Sequence, residues 1–303
     1  MKATRVSLKH RVEYLLTRAA FGLTAAVPEG ISYRIAGWLG SLFVTLSKKR
    51  RQFALRTLRN AFPEETNDRV LLRHARRGTG NLLRVALDLA RTGRAVNRGT
   101  FAERIDVSPL RDLGLTPPWI GVTGHLGSWE CGGIGVAGLA KEVHATARLM
   151  KNPLAQRWLR ENRARVGLIV HDRRGGIREI ARALENGCVA MQVVDQNQRK
   201  RGVLAPFFGE LASTERAAAA LAVRKGYPFV VAAGIRQGVG FRFRIEVSEV
   251  LVPEITGDTT ADVENLIRRM NRALERLILR FPDQYLWIHD RYRTADQILA
   301  QRG

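Results

Sequence analysis

Cysteine is scarce in this chain, with Cys131 and Cys188 alone among 303 residues. Two thiols cannot build a disulfide framework or a cysteine zinc knuckle, and they suit a reducing compartment. Acidic residues are also few, 28 Asp and Glu against 50 Lys and Arg, so the formal charge is +22. No run of about 18 uninterrupted apolar residues occurs, which argues against a membrane-spanning helix. Internal repeats and low-complexity linkers are absent. The aromatic residues sit mainly in apolar segments, and no zinc-finger spacing, RNP pattern or KH loop accompanies the basic charge, so nucleic acid is not an expected partner.

What remains is a globular composition, 45% hydrophobic, in a length that one α/β domain can fill. The cations need an anionic counterpart: nucleic acid, an anionic membrane surface or an acidic protein. Between Met1 and Asn60 twelve Lys or Arg, Lys2 and Arg5 among them, face only Glu13 and Glu29. Two apolar segments are set among them, Tyr14 to Val27 and Ile31 to Leu46, interrupted by Arg18 and Arg34 respectively. Helices with Trp, Phe and Leu beside Arg and Lys lie in the headgroup layer of a bilayer, where each basic side chain near anionic lipid contributes about 1 kcal/mol. Arg18 breaks the run that a secretory signal would need. The expectation is an amphipathic helical, membrane-associating annex over residues 1–60, with one continuous α/β unit over 61–303. A helical hairpin that only caps the core is the plainer alternative.

Residues 48–92 read as helical, with a break at Pro63 and a Thr66-Asn67-Asp68 cap signal. Strands and helices then alternate. Strands are expected at 119–123, 143–150, 168–170, 188–194, 228–233 and 241–247. Helices are expected around 130–139, 153–166, 176–185, 214–225 and 262–280, and Pro206-Phe207-Phe208-Gly209 reads as a loop. The fold class is therefore α/β: a central mixed, mostly parallel sheet flanked by helices.

The sharpest local feature is Gly124-His125-Leu126-Gly127-Ser128-Trp129-Glu130, at the junction of a buried strand and a helix. Open α/β sheets bind ligands there. A neutral imidazole takes a proton from an alcohol near neutral pH, and a carboxylate on its other nitrogen fixes the tautomer. His125 is the candidate base and Glu130 the candidate orienting carboxylate. The amides of Gly127 and Ser128 are candidate donors to an oxyanion. Taken alone, the His…Glu spacing is equally open to a structural histidine. Gly133-Ile134-Gly135-Val136-Ala137-Gly138 matches a dinucleotide fingerprint only formally, because it begins about ten residues past its strand. Close helix packing explains its glycines better. Ser128 lacks the G-x-S-x-G elbow of a serine hydrolase.

Five ordered blocks make the pattern specific. Arg56 to Glu64 (RTLRNAFPE), Gly124 to Glu130, Arg148 with Lys151-Asn152-Pro153-Leu154, Gly187 to Asn197 followed by Pro206 to Gly209, and Pro282 to Trp287 with His289 run along nearly the whole chain. Together they resemble the bacterial lipid A biosynthesis (lauroyl/myristoyl) acyltransferase family, which is similar to the lysophospholipid acyltransferases. The resemblance implies transfer of a fatty acyl group from a thioester, on acyl carrier protein or coenzyme A, to a hydroxyl of a lipid A precursor or lysophospholipid. It further implies His125 as general base oriented by Glu130, with Arg148 on a phosphate or the thioester oxygen and Asp195 and Gln196 shaping the site. Neither a metal nor a resident cofactor is needed. Anionic lipids and an acidic carrier protein or coenzyme A are the implied partners. The implied place is the cytoplasmic face of the inner membrane, peripheral or monotopic. A non-catalytic basic binding protein and a thioesterase-like hydrolase are the alternatives from other classes.

Overall fold

The computed structural model describes residues 6–301, so Lys2 and Arg5 lie outside the described residues. Four helices lead the chain: α1 (Leu8–Ala26), α2 (Glu29–Leu46), α3 (Lys48–Ala61) and α4 (Asp68–Asn97). The expected cap at Asn67 is made, its side chain accepting the Arg69 amide at 3.0 Å and so satisfying one of the free donors at a helix start. The residues that α2 buries, Ser32, Tyr33, Ala36, Gly40 and Val44, recur at helical spacing along its contact with α4. The crossing is close because both sides are glycine: a Cβ on Gly40 would stand 2.5 Å from the Gly80 nitrogen. From α3, Ala54, Leu58 and Ala61 enter the main core.

The chain then alternates through β1 (Ile105–Asp106), α5 (Ser108–Arg111), β2 (Ile120–Thr123), α6 (Trp129–Ala137), β3 (Val143–Ala147), α7 (Pro153–Ala164), β4 (Leu168–Asp172), α8 (Ile177–Glu185) and β5 (Val189–Val193). After these come β6 (Val203–Phe207), β7 (Glu210–Thr214), α9 (Ala217–Lys225), β8 (Phe229–Arg236), β9 (Phe243–Leu251), α10 (Thr259–Arg280) and α11 (Arg293–Ala300). Seven strands form one sheet in the order β1-β9-β8-β2-β5-β3-β4. Every pairing in it is parallel except β8 with β9. The expected α/β class, with a mostly parallel sheet between helices, is the class observed.

Two apolar layers hold the sheet. Ile180 and Leu184 of α8, the alanines of α9 and the inner face of α10 pack with Ile120, Val122, Phe229 and Val231. On the other side Cys131, Ile134 and Val136 of α6 pack with Val143, Leu168, Val230 and Phe243. The α6 glycines serve this packing, as expected: a Cβ on Gly135 would come within 2.9 Å of Ile105. Every residue of β2 is buried, the pattern of a central parallel strand covered on both faces.

One local expectation is corrected. Pro206 to Gly209, read as a loop, lie within an antiparallel hairpin, β6-β7, paired from Val203–Thr214 to Phe207–Glu210, and Thr214, read as the start of a helix, is the last residue of β7. The hairpin's two-residue turn is Phe208-Gly209, both at positive φ. Such a turn is usually announced by Asn-Gly or Asp-Gly, and a phenylalanine in the first position hides it. The Phe208 amide is held by Glu275 Oε1 at 2.9 Å.

Candidate active site

β2 and β5 are adjacent and in register, with Thr123 opposite Val193. His125 and Asp195 each stand two residues beyond that pair. Parallel pairing therefore delivers them together past the carboxyl ends of the strands. His125 Nδ1 lies 2.7 Å from Asp195 Oδ1, and the His125 amide donates to Oδ2 at 2.8 Å. One carboxylate thus grips both the ring and the main chain of the same histidine. With Nδ1 as donor, the lone pair is on Nε2, which the Gln196 side-chain amide approaches at 3.2 Å. Trp129 stands edge-on to the ring, centroids 4.7 Å apart.

Burial lowers the affinity of His125 for a proton, but the Asp195 charge and hydrogen bond outweigh it and hold the pKa above the ordinary imidazole value. Burial likewise raises Asp195, while His125 and the buried Arg291 behind it bring its pKa below the usual carboxylate range. Both directions favour an imidazolium–carboxylate pair. Arg291 is itself fixed by the Ser213 carbonyl at 2.6 Å and the Thr214 hydroxyl at 2.7 Å.

Glu130 is placed differently from its expected role. Its carboxylate accepts two hydrogen bonds from Arg163 of α7, both 2.6 Å, and the carboxylate bonded to the His125 ring is that of Asp195. The reason is geometric. Ser128 caps α6 by accepting the Cys131 amide at 3.5 Å, so His125 lies on the loop before the helix, and spacing along the chain no longer implies contact. His125, Glu130 and Arg163 still line one cavity.

The expected oxyanion donors are corrected as well. The Gly127 amide donates to the Gln284 carbonyl at 3.1 Å and the Ser128 amide to the Gly234 carbonyl at 2.8 Å, so both are already committed to the fold. Gly127 adopts φ of 62°, and a Cβ there would fall 2.1 Å from the Gly234 oxygen. These two residues build the loop under His125 and do not point donors at a reacting atom.

The cavity has a volume of about 440 Å³. Leu168, Val170, Ala145 and Met191 give it apolar walls, Arg148 and Arg173 give it positive charge, and Arg163 stands in the wall paired with Glu130. Arg148 lines the cavity from just past β3, exposed and without a hydrogen-bonding partner among the described residues. Gln196 and Arg173 share the same wall, and Arg173 donates to Gln198 Oε1 at 3.2 Å.

Sequence reasoning missed the buried frame beneath the loop. Asn81 of α4 donates to the Gly127 carbonyl at 2.7 Å and accepts from Arg236 Nε at 3.1 Å. Arg236 forms a two-pronged ion pair with Asp88 at 3.0 and 2.6 Å, and Tyr33 donates to the same carboxylate at 2.7 Å. The Gln284 side chain exchanges two 3.0 Å hydrogen bonds with the Arg236 main chain. Leu126 and Tyr285 form a one-residue antiparallel bridge, and the Leu286 amide donates to the His125 carbonyl at 3.1 Å. The PDQYLW block is thus a second wall of the His125 loop. That block was visible in the sequence, whereas no local signal linked Asp88 to Arg236 or Glu130 to Arg163.

A histidine gripped by a carboxylate at the carboxyl edge of a parallel sheet, and open to a part-apolar, part-cationic cavity, is a means by which α/β enzymes activate a hydroxyl group. A model of the bacterial lipid A biosynthesis acyltransferases matches residues 1–294, and the chain belongs to that family. It is 27% identical over 272 residues to the lipid A biosynthesis palmitoleoyltransferase of Escherichia coli (strain K12), covering 84% of this chain and 83% of that protein. A lipid A biosynthesis acyltransferase of Shigella flexneri matches to the same extent. The lipid A biosynthesis lauroyltransferase of Escherichia coli (strain K12) is 26% identical over 303 residues, covering 95% of each chain.

Proposed function

We propose that this acyltransferase moves a fatty acyl group from a thioester, on acyl carrier protein or coenzyme A, to a hydroxyl of a lipid A precursor. The observation that carries the reading is the His125–Asp195 pair opening onto a cavity with both apolar walls and arginines. His125 Nε2 accepts the proton of the acceptor hydroxyl as its oxygen attacks the thioester carbonyl. Collapse of the tetrahedral intermediate breaks the C–S bond, and the imidazolium returns its proton to the departing thiolate. Asp195 holds the ring and stabilises the imidazolium. Arg148 and Arg173 supply charge for a phosphate or for the thioester oxygen. The two E. coli relatives, named for lauroyl and palmitoleoyl transfer, support the acceptor class.

The site would work at the cytoplasmic face of the inner membrane, peripherally or monotopically. Supporting this, α1 and α2 expose Leu15, Leu23, Ile35, Trp38, Phe43 and Leu46 next to the exposed cations Arg18, Arg34, Lys48 and Lys49. No helix among the described residues is long and apolar enough to cross a membrane.

His125→Ala, assayed with an acyl thioester and a lipid A precursor, should lose acyl transfer by about 10²–10⁴-fold while keeping its circular dichroism spectrum and vesicle binding. Undiminished transfer would overturn the mechanism. Release of free fatty acid without acylated lipid from the unaltered protein would make it a hydrolase instead.

A further inference from the structure

Glu142 and His144 lie two residues apart at the amino end of β3, and so project from the same face of the sheet. Cys188 immediately precedes β5, and the parallel register, Val143 opposite Val189, sets it beside Glu142. A Glu142 oxygen, a His144 ring nitrogen and Cys188 Sγ all lie within 4.8 Å of one another. Glu142 Oε2 is 3.2 Å from His144 Nε2. The other nitrogen of that ring, Nδ1, is 2.9 Å from His171 Nε2 on β4, with the two rings stacked. This cluster sits at the end of the strands opposite His125, and the acyl-transfer chemistry makes no use of it.

We propose that Glu142, His144 and Cys188 form a binding site for a divalent ion of the zinc class. A tetrahedral ion with bonds of about 2.0–2.3 Å spaces its ligands roughly 3.3–3.8 Å apart, which the Glu142–His144 distance already approaches. One carboxylate, one imidazole and one thiol make the mixed oxygen, nitrogen and sulfur set that zinc accepts. The His144–His171 contact is the support such a ligand requires. With the ion bound, Nδ1–H donates to His171 Nε2, 2.9 Å away, which fixes the tautomer and turns the Nε2 lone pair of His144 to the metal in place of its contact with Glu142. On binding, the Cys188 thiol gives its proton to solvent and the thiolate bonds the ion. The fourth position is left for water, because the Glu142 side chain is partly exposed. An ion there ties β3 to β5, and through His171 to β4, in the half of the sheet that carries Asp195 and the cavity wall.

The test uses the full chain, stripped of metal with a chelator and titrated with Co²⁺. The expected result is saturation at one equivalent, with a thiolate-to-cobalt charge-transfer band that Zn²⁺ abolishes by displacement. The band should vanish in Cys188→Ser and persist in Cys131→Ser. His171→Leu, which removes only the supporting acceptor, should raise the Kd about 10–100-fold. A folded protein with no such band, or a band unchanged in Cys188→Ser, would overturn the proposal. Should Cys188→Ser fail to fold, Glu142→Gln on its part-exposed side chain decides instead: at least tenfold weaker binding is expected, and an unchanged Kd refutes the site. None of these readouts depends on acyl transfer.

Discussion

His125 holds its proton more tightly than a free imidazole because Asp195 outweighs burial, and this sets the pH dependence of the proposed reaction. A general base must be neutral, so the rate should climb as pH rises through a pKa above the ordinary value of about 6.5. In Asp195→Asn the burial stays and the charge goes. The midpoint should then move to lower pH, while kcat falls about 10²–10⁴-fold through loss of the held tautomer and of imidazolium stabilisation. A kcat/KM–pH profile unchanged in this variant would remove Asp195 from the mechanism. Glu130 answers to a different measurement. Glu130→Gln leaves the mostly buried Arg163 without its charge partner, and the expected cost is about 3–5 kcal/mol in denaturant unfolding. Glu130→Gln/Arg163→Met should regain most of it. Full stability with lost turnover would instead place Glu130 in contact with the reacting groups. The sequence made His125 conspicuous, since a strand end, glycines and a histidine coincide there. The partner of its ring, 70 residues away, becomes visible only once β2 and β5 are known to be neighbours in register.

Helix α2 carries apolar residues on two sides. One side is occupied by α4, and the other leaves Trp38 63% and Leu46 75% exposed. Patches of this kind mark contact with a partner or a membrane. Trp38→Glu should therefore cut partition into anionic vesicles by about tenfold or more, the scale of one large apolar side chain, without lowering the melting temperature. Unchanged flotation with vesicles would mean that this face is not the docking surface. The apolar segments of both N-terminal helices were legible, as was the cap at Asn67, because helix periodicity and capping are local properties. The β6-β7 hairpin was not, since its Phe208-Gly209 turn breaks the usual turn chemistry. The Asp88–Arg236 pair was not either: a charge on a buried helix face has no period of its own, and its partner is 148 residues away.

The molecule as a whole is strongly cationic, and the excess is spread over both the helical N-terminus and the α/β unit. Its association with anionic vesicles should weaken steeply as salt rises, because the screening length contracts from about 10 Å at 0.1 M to about 3 Å at 1 M. Binding to zwitterionic vesicles should be nearly indifferent to salt. Equal salt response on both would show that net charge does not direct the encounter. At this scale the sequence spoke most clearly, since short β-branched runs separated by amphipathic helices admit few architectures other than a parallel sheet between helical layers.

The bridge between Leu126 and Tyr285 has a consequence for biosynthesis. Gly127 and His125 are anchored by Gln284 and Leu286, which the ribosome adds long after the histidine loop itself. An unfinished polypeptide, even one long enough to pair β2 with β5, lacks the brace that shapes the histidine loop. The histidine loop therefore takes its final shape only once residues 284–286 have been made and have docked against it.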